Sequence, residues 1–229
     1  MPFELTWPEI ESALSASPRV LLHGPPGLGK THAGHKLGLK PNQRVFSITL
    51  TEQTSAAELQ GLYVPKGGEF IYQFGPLVLA WLHGGRAVLN ELQRVSGDAQ
   101  AFLINILDDP GMALMTLPNG ETVKPHADFS CVATMNGDPS ELDEALRDRF
   151  PVCLPVYKPN PQAIASLPMD LQRIAENSVA IPDQARRVGL RSWIEFAQLR
   201  TRLGAPLASR LIFRERAQEL ENSLKIGSL

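Results

Sequence analysis

The sequence has 229 residues, 43% of them hydrophobic and 20% charged, with a net charge of -2 and a pI near 6.2. That is ordinary globular composition, in a length that holds one large domain or two small ones. No overall field favours nucleic acid or anionic lipid, although a small net charge can hide local basic patches. The two cysteines, Cys131 and Cys153, lie in apolar, strand-like runs and read as small buried hydrophobes. They form neither a metal spacing nor a secretory disulfide framework. Met1-Pro2-Phe3-Glu4 lacks a basic start followed by an apolar run, so no signal peptide is expected. No apolar stretch approaches the roughly 20 residues that span a bilayer. The expectation is a cytoplasmic protein with no membrane association.

Short apolar runs alternate with helix-like ones through the first two-thirds of the chain. Strands are predicted at 19–22, 44–48, 86–89, 129–133 and 152–156. They are continuous rather than alternating, as strands buried on both faces of a parallel sheet are. Helices are predicted between them at 31–37, 76–82, 98–107 and 140–147, the last with Ser140 as N-cap and with Asp143 and Glu144 in its first turn. Gly67-Gly68 within 61–74 and Asn119-Gly120 within 111–124 predict two β-hairpins set into this pattern. After Lys158-Pro159-Asn160-Pro161 the periodicity turns helical, with helices expected at 170–177, 190–202 and 206–224. The reading is an α/β fold: a three-layer αβα core with a five-stranded parallel sheet over residues 1–158, then a small all-helical lid over 159–229.

Gly24-Pro25-Pro26-Gly27-Leu28-Gly29-Lys30-Thr31, set between a strand and a helix, is a complete phosphate-binding loop. Its glycines let backbone N–H groups turn toward phosphate oxygens. Lys30 reaches the β- and γ-phosphates, and the helix start adds a positive dipole end. The Thr31 hydroxyl is a Mg²⁺ ligand. The expected cofactors are ATP and Mg²⁺. The run Arg86-Ala87-Val88-Leu89-Asn90-Glu91 reads as the second strand of such a site. The usual ending is Asp-Glu, the Asp on Mg²⁺ through water and the Glu on the attacking water. Glu91 fits. Asn90 replaces the Asp, accepts from a Mg²⁺-bound water and supplies no charge, so Mg²⁺ is held less tightly and nucleotide binding is expected ahead of fast hydrolysis. Asn136, after the next buried strand, belongs near the γ-phosphate. Arg147 and Arg149 end a short helix, where they cap it, face solvent, or serve a neighbouring subunit's phosphoryl group.

Taken in order, the phosphate loop, Glu58-Leu59-Gln60-Gly61, Phe74-Gly75-Pro76-Leu77, Leu89-Asn90-Glu91-Leu92-Gln93-Arg94, Ala133-Thr134-Met135-Asn136 and Leu142 to Phe150 resemble the MoxR-like AAA+ ATPases. The broader branch includes the modules of dynein and midasin and the McrB-type GTPases. The resemblance covers 20–156 and, weakly, the lid, which is shorter than the family's usual one. It implies Lys30 and Thr31 as the Walker A pair, Glu91 as catalytic base and Asn136 as sensor 1. Arg149 is implied first as the trans arginine and Arg147 second. Arg191 takes the sensor 2 position, with Arg186 and Arg187 close beside it. The hairpins match pore or partner-contact positions. It further implies a homo-oligomeric ring, commonly hexameric, acting as a chaperone on a client protein such as one with a von Willebrand factor A domain. An ATP-dependent assembly scaffold with weak hydrolysis and a nucleic-acid-associated motor or restriction-type NTPase are the alternatives. Trp81, Trp193 and Phe196 read as core. The basic C-terminal helices (Arg200, Arg202, Arg210, Arg214, Arg216) read as a solvated face, with nucleic acid the minority reading.

Overall fold

The computed structural model describes residues 4–109, 111–179, 181 and 187–226. In chain order the elements are α1 (Trp7–Ala16), β1 (Arg19–His23), α2 (Lys30–Lys36), β2 (Val45–Thr49), α3 (Ala56–Gln60), β3 (Gly61–Lys66), β4 (Glu69–Phe74), α4 (Pro76–His83), β5 (Arg86–Asn90), α5 (Gly97–Ile106), β6 (Met115–Thr116), β7 (Thr122–Val123), β8 (Ser130–Thr134), α6 (Glu144–Asp148), β9 (Val152–Pro155), α7 (Pro161–Ala165), α8 (Met169–Val179), α9 (Leu190–Leu203), α10 (Ala205–Phe213) and α11 (Ala217–Ile226). The chain divides into two compact units. One joins Met1–Gly24 to Lys30–Pro155; the other joins Pro25–Gly29 to Val156–Leu229.

The first unit is built on a five-stranded, all-parallel sheet in the order β2-β5-β8-β1-β9. Its strands alternate between two covered faces. Leu21, Ala87, Leu89, Cys131 and Ala133 pack with Leu77, Val78 and Trp81 of α4 and with Ala99 and Leu103 of α5. On the other face α2 lies close to the sheet at Gly34, where a Cβ would stand 3.1 Å from Val88 and 3.3 Å from Val132. Along the central strands β5, β8 and β1 both faces are covered, so those strands carry near-continuous apolar runs. This is the P-loop NTPase architecture expected from the sequence.

Arg86 opens β5 and is 1% exposed, yet among the described residues no carboxylate meets it. Its guanidinium donates to the carbonyls of Leu14, Gly34, Leu37 and Gly38 and to the Ser130 hydroxyl. Gly34, Leu37 and Gly38 lie at the C-terminal end of α2, and Leu14 lies in the last turns of α1. The negative dipole ends of two helices therefore take the place of a counter-ion. Burial, the larger influence, pulls the guanidinium pKa down.

Several local expectations change. The predicted helix at 140–147 is two pieces, a 3₁₀ turn (Pro139–Glu141) and α6, and Asp138 and Asp143 cap them rather than Ser140. An aspartate oxygen reaches the first free N–H groups in each case. The second hairpin is β6–β7, but Asn119-Gly120 is not its two-residue turn. Leu117 accepts from Gly120 N–H, and Gly120 alone takes a positive φ of 88°. Asn119 is thus a central residue of an ordinary turn that glycine closes. The first hairpin, β3–β4, pairs Lys66 with Glu69 around Gly67-Gly68 as expected. Cys131 is buried, and burial pushes its thiol pKa up to about 12. Cys153 is exposed, because β9 is an edge strand.

The second unit's helices close on an aromatic cluster. Trp193 and Phe196 of α9 are fully buried against Phe213 of α10, with ring centroids 4.9–6.1 Å apart. The indole N–H donates to the Ser178 hydroxyl of α8 at 2.7 Å, which satisfies the buried polar end of the ring. The single helix expected over 206–224 is broken at Arg214, whose φ is +52°. Arg200 makes a two-oxygen pair with Asp170 at 2.5 and 2.8 Å, and each partner moves the other's pKa toward its charged form.

Candidate active site

The C-terminal ends of β1, β5 and β8 stand side by side, where open α/β sheets bind ligands. Each runs into one of the sequence motifs. After β1, Gly24, Gly27 and Gly29 take φ values of +125°, +81° and +102°, a path closed to residues with a Cβ. The loop ends where α2 begins at Lys30. Lys30 is 6% exposed and folds back over its own loop, donating to Gly24 O at 2.8 Å and to Asn136 Oδ1 at 3.0 Å. His23, the last residue of β1, sits near Asp138 and Gly137. Burial, the strongest influence, lowers its pKa, against the opposing pull of Asp138.

Asn136 uses its other end on Glu91. Its Nδ2 donates to both carboxylate oxygens at 3.2 Å. Lysine, amide and carboxylate therefore form one chain from the start of α2 past the ends of β8 and β5. Glu91 itself has φ 60° and ψ 46°, left-handed backbone that costs a non-glycine residue about 1 kcal/mol or more. The turn lets the 3₁₀ segment Leu92–Arg94 curl back. Gln93 Nε2 then donates to Glu91 Oε2 at 2.7 Å, and Arg94 Nε lies 3.4 Å from the same oxygen. Gln93 and Arg94 escaped the reading of site roles from sequence. Only their place two and three residues after Glu91 pointed to them, and that spacing means contact only once the 3₁₀ turn is known.

Asn90 is 7% exposed and bonded on both sides. Nδ2 donates to Ser47 Oγ at 3.1 Å and to Ile48 O at 3.4 Å on β2, and Oδ1 accepts from Thr134 Oγ1 of β8 at 3.3 Å. The Thr31 hydroxyl is exposed and makes no hydrogen bond among the described residues. For Mg²⁺ this donor set is thin. A hard cation is normally held through one or two carboxylates. Here Thr31 and Asn90 are neutral, and the carboxylate of Glu91 already accepts from Asn136, Gln93 and Arg94. Among the described residues no three His, Cys, Asp or Glu side chains gather into a metal-binding group.

Arg149 is anchored within its own unit. Nε donates to Ile104 O of α5 at 2.9 Å, and its Nη atoms lie 3.4 Å from Asp108 and 3.6 Å from Asp148. Arg147, half-buried on α6, has no hydrogen bond or ion pair of that kind among the described residues, and Asp138 feels its charge. In the second unit, Leu190 N–H donates to Gly27 O at 3.3 Å, and Asn160 N–H to Leu28 O at 3.1 Å. Gly27 and Gly189 approach so closely that a Cβ on Gly27 would stand 2.9 Å from Gly189 Cα. Arg191 is exposed in the first turn of α9, and Arg187 Nε donates to Ile181 O. Arg186 lies outside the described residues.

A family model for the AAA domain of the dynein-related subfamily matches residues 19–150, the stretch that carries the loop, Glu91, Asn136 and both arginines. The chain belongs to that family. It is a MoxR-like member of the AAA+ superfamily, as the order of its motifs implied. Midasin of Dictyostelium discoideum is 33% identical over 157 residues, which are 62% of this chain and 3% of midasin. Protein NorQ of Paracoccus denitrificans (strain Pd 1222) is 31% identical over 126 residues, 55% of this chain and 46% of NorQ. Protein CbbQ of Hydrogenophilus thermoluteolus is 28% identical over 126 residues, 55% of this chain and 47% of CbbQ. The chain thus spans less than half the length of each of these relatives. NtrX from Brucella abortus has the same fold, with a TM-score of 0.55 at 18% identity over 91% of this chain and 52% of NtrX. Among the described residues no helix is long and apolar enough to cross a membrane.

Proposed function

We propose that this AAA+ domain binds and hydrolyses ATP as part of a cytoplasmic homo-oligomeric ring, with six subunits the expected number, and uses the cycle to remodel a partner protein. The observation that carries the reading is the bonded series Lys30–Asn136–Glu91. It ties the phosphate loop to the carboxylate that would act on water. On ATP entry the ammonium exchanges Gly24 O for phosphate oxygens, while the loop's N–H groups and the start of α2 take the remaining charge. Asn136 is then released from Lys30 and holds the Glu91 carboxylate or the water beside it. Glu91 accepts the proton as that water attacks the γ-phosphate. Mg²⁺, expected with ATP, would meet only the neutral groups of Thr31 and Asn90.

Of the two arginines, Arg147 is the better placed to serve a neighbour's nucleotide. Arg149, the first choice from sequence, would have to leave Ile104 and Asp108 to do so. Arg191 is kept as the sensor 2 residue on its place in α9. The partner is taken to be a protein, with a von Willebrand factor A domain one such client, as the resemblance to the MoxR-like ATPases implies. A ring that assembles on ATP and turns it over slowly is the second reading, and the commitment of the Asn90 amide to β2 favours it.

Steady-state ATP hydrolysis measured against protein concentration, with size determined in parallel, tests the reading. Turnover per subunit should rise as rings assemble. Glu91→Gln should keep ATP bound while lowering turnover by about 100-fold, the usual weight of a general base. Unchanged turnover in that variant removes Glu91 as the base, and turnover independent of assembly removes the trans arginine.

A further inference from the structure

We infer that Asn90 is a neutral clamp across β2, β5 and β8, and that this chain therefore takes nucleotide triphosphate with little dependence on Mg²⁺; the inference rests on the nucleotide-binding reading above. Three observations carry it. First, the Asn90 side chain is held by both neighbouring strands. Nδ2 lies 3.1 Å from Ser47 Oγ and 3.4 Å from Ile48 O, a carbonyl that also faces the backbone ladder between β2 and β5.

Second, the clamp is continuous. Ser47 Oγ receives Asn90 Nδ2 and lies 3.0 Å from His35 Nε2 of α2, so the amide ties three strands of the sheet to the helix that follows the phosphate loop. A carboxylate here would place its charge at a 7% exposed site between strands with no cation bonded to it.

Third, no other anion takes over. Glu91 is the adjacent carboxylate, and its oxygens accept from Asn136, Gln93 and Arg94. A divalent cation arriving on the phosphates would find hydroxyl and amide oxygen, with the adjacent Glu91 carboxylate already accepting from three side chains. It would add little to the affinity already supplied by Lys30 and the loop.

The test is calorimetric titration of the non-hydrolysable analogue AMP-PNP into the whole chain, in Mg²⁺ and in EDTA, with melting temperatures of Asn90→Asp and Ser47→Ala alongside. The expected result is a Kd that changes by less than about threefold between the two conditions, under 1 kcal/mol. Asn90→Asp should melt several degrees lower and Ser47→Ala less so, as one lost acceptor weighs less than a buried charge. A loss of about tenfold or more in EDTA overturns the inference while leaving nucleotide binding in place. Asn90→Asp melting no lower than the parent overturns the clamp. Absence of AMP-PNP binding under both conditions, with a normal melting curve, overturns the nucleotide reading and the inference together.

Discussion

Lys30→Ala should lose nucleotide affinity by about 100-fold, close to 3 kcal/mol, because each charge-assisted bond to phosphate is worth roughly 1.5–3 kcal/mol. The ammonium is nearly buried and pre-aimed over its loop, so little ordering remains to be done on binding. Titration of AMP-PNP reads the loss directly. The fold should survive, since alanine here removes a buried cation as well as its bonds, and the melting temperature is the control. Affinity within threefold of the parent would show that the loop is not the phosphate site. A subtler consequence follows at Asn136. Without Lys30 on its Oδ1, the amide keeps only its bonds to Glu91, so the carboxylate should become more mobile even where some nucleotide still binds.

Arg86→Met should cost on the order of 4 kcal/mol of folding stability. Methionine fills similar volume but leaves the carbonyls of Leu14, Gly34, Leu37 and Gly38 without their donor in a dry site. Against a typical total of about 5–15 kcal/mol this is a large fraction. Arg86→Lys should fall between, because a single ammonium with three hydrogens cannot span four carbonyls held in a fork. Denaturant midpoints of the three proteins measure the series. Equal midpoints for parent and methionine variant would mean that water replaces the guanidinium at no cost. The loss should be insensitive to salt, since the partners are helix ends rather than side-chain charges.

The parallel sheet was legible because its three central strands, β5, β8 and β1, are covered on both faces and so carry near-continuous apolar runs. β1, β2, β5, β8 and β9 all fall within a residue or two of their predicted places. The motif residues were legible for a different reason: phosphate chemistry needs glycine, lysine and a carboxylate at strand ends. What was missed is short or depends on a turn. α1 escaped although Thr6 and Glu9 form a capping box, with the Glu9 carboxylate accepting from the Thr6 N–H at 2.7 Å. α3 and α7 have five residues each, too few to show a helical period. The anchoring of Arg149 and the double commitment of Asn90 are contacts between segments 45 and 43 or 44 residues apart. A single sequence carries no signal for such pairs. Arg86 is the sharpest case. In sequence it is one charge opening an apolar strand, with no sign of the carbonyls that will surround it; in the fold it is among the most enclosed side chains of the described residues.

The approach of Gly27 to Gly189 has a mechanical meaning. With no side chain on either residue, and with Leu190 N–H bonded to Gly27 O, the tip of the loop and the first turn of α9 touch backbone to backbone. Side chains absorb small displacements by changing rotamer, and main chains in direct contact do not. On the proposed reading, a shift of the Gly27 carbonyl as the loop took up phosphate would press directly on the start of α9, one residue before Arg191. The two glycines would then act as meshed teeth, turning occupancy of the loop into helix position.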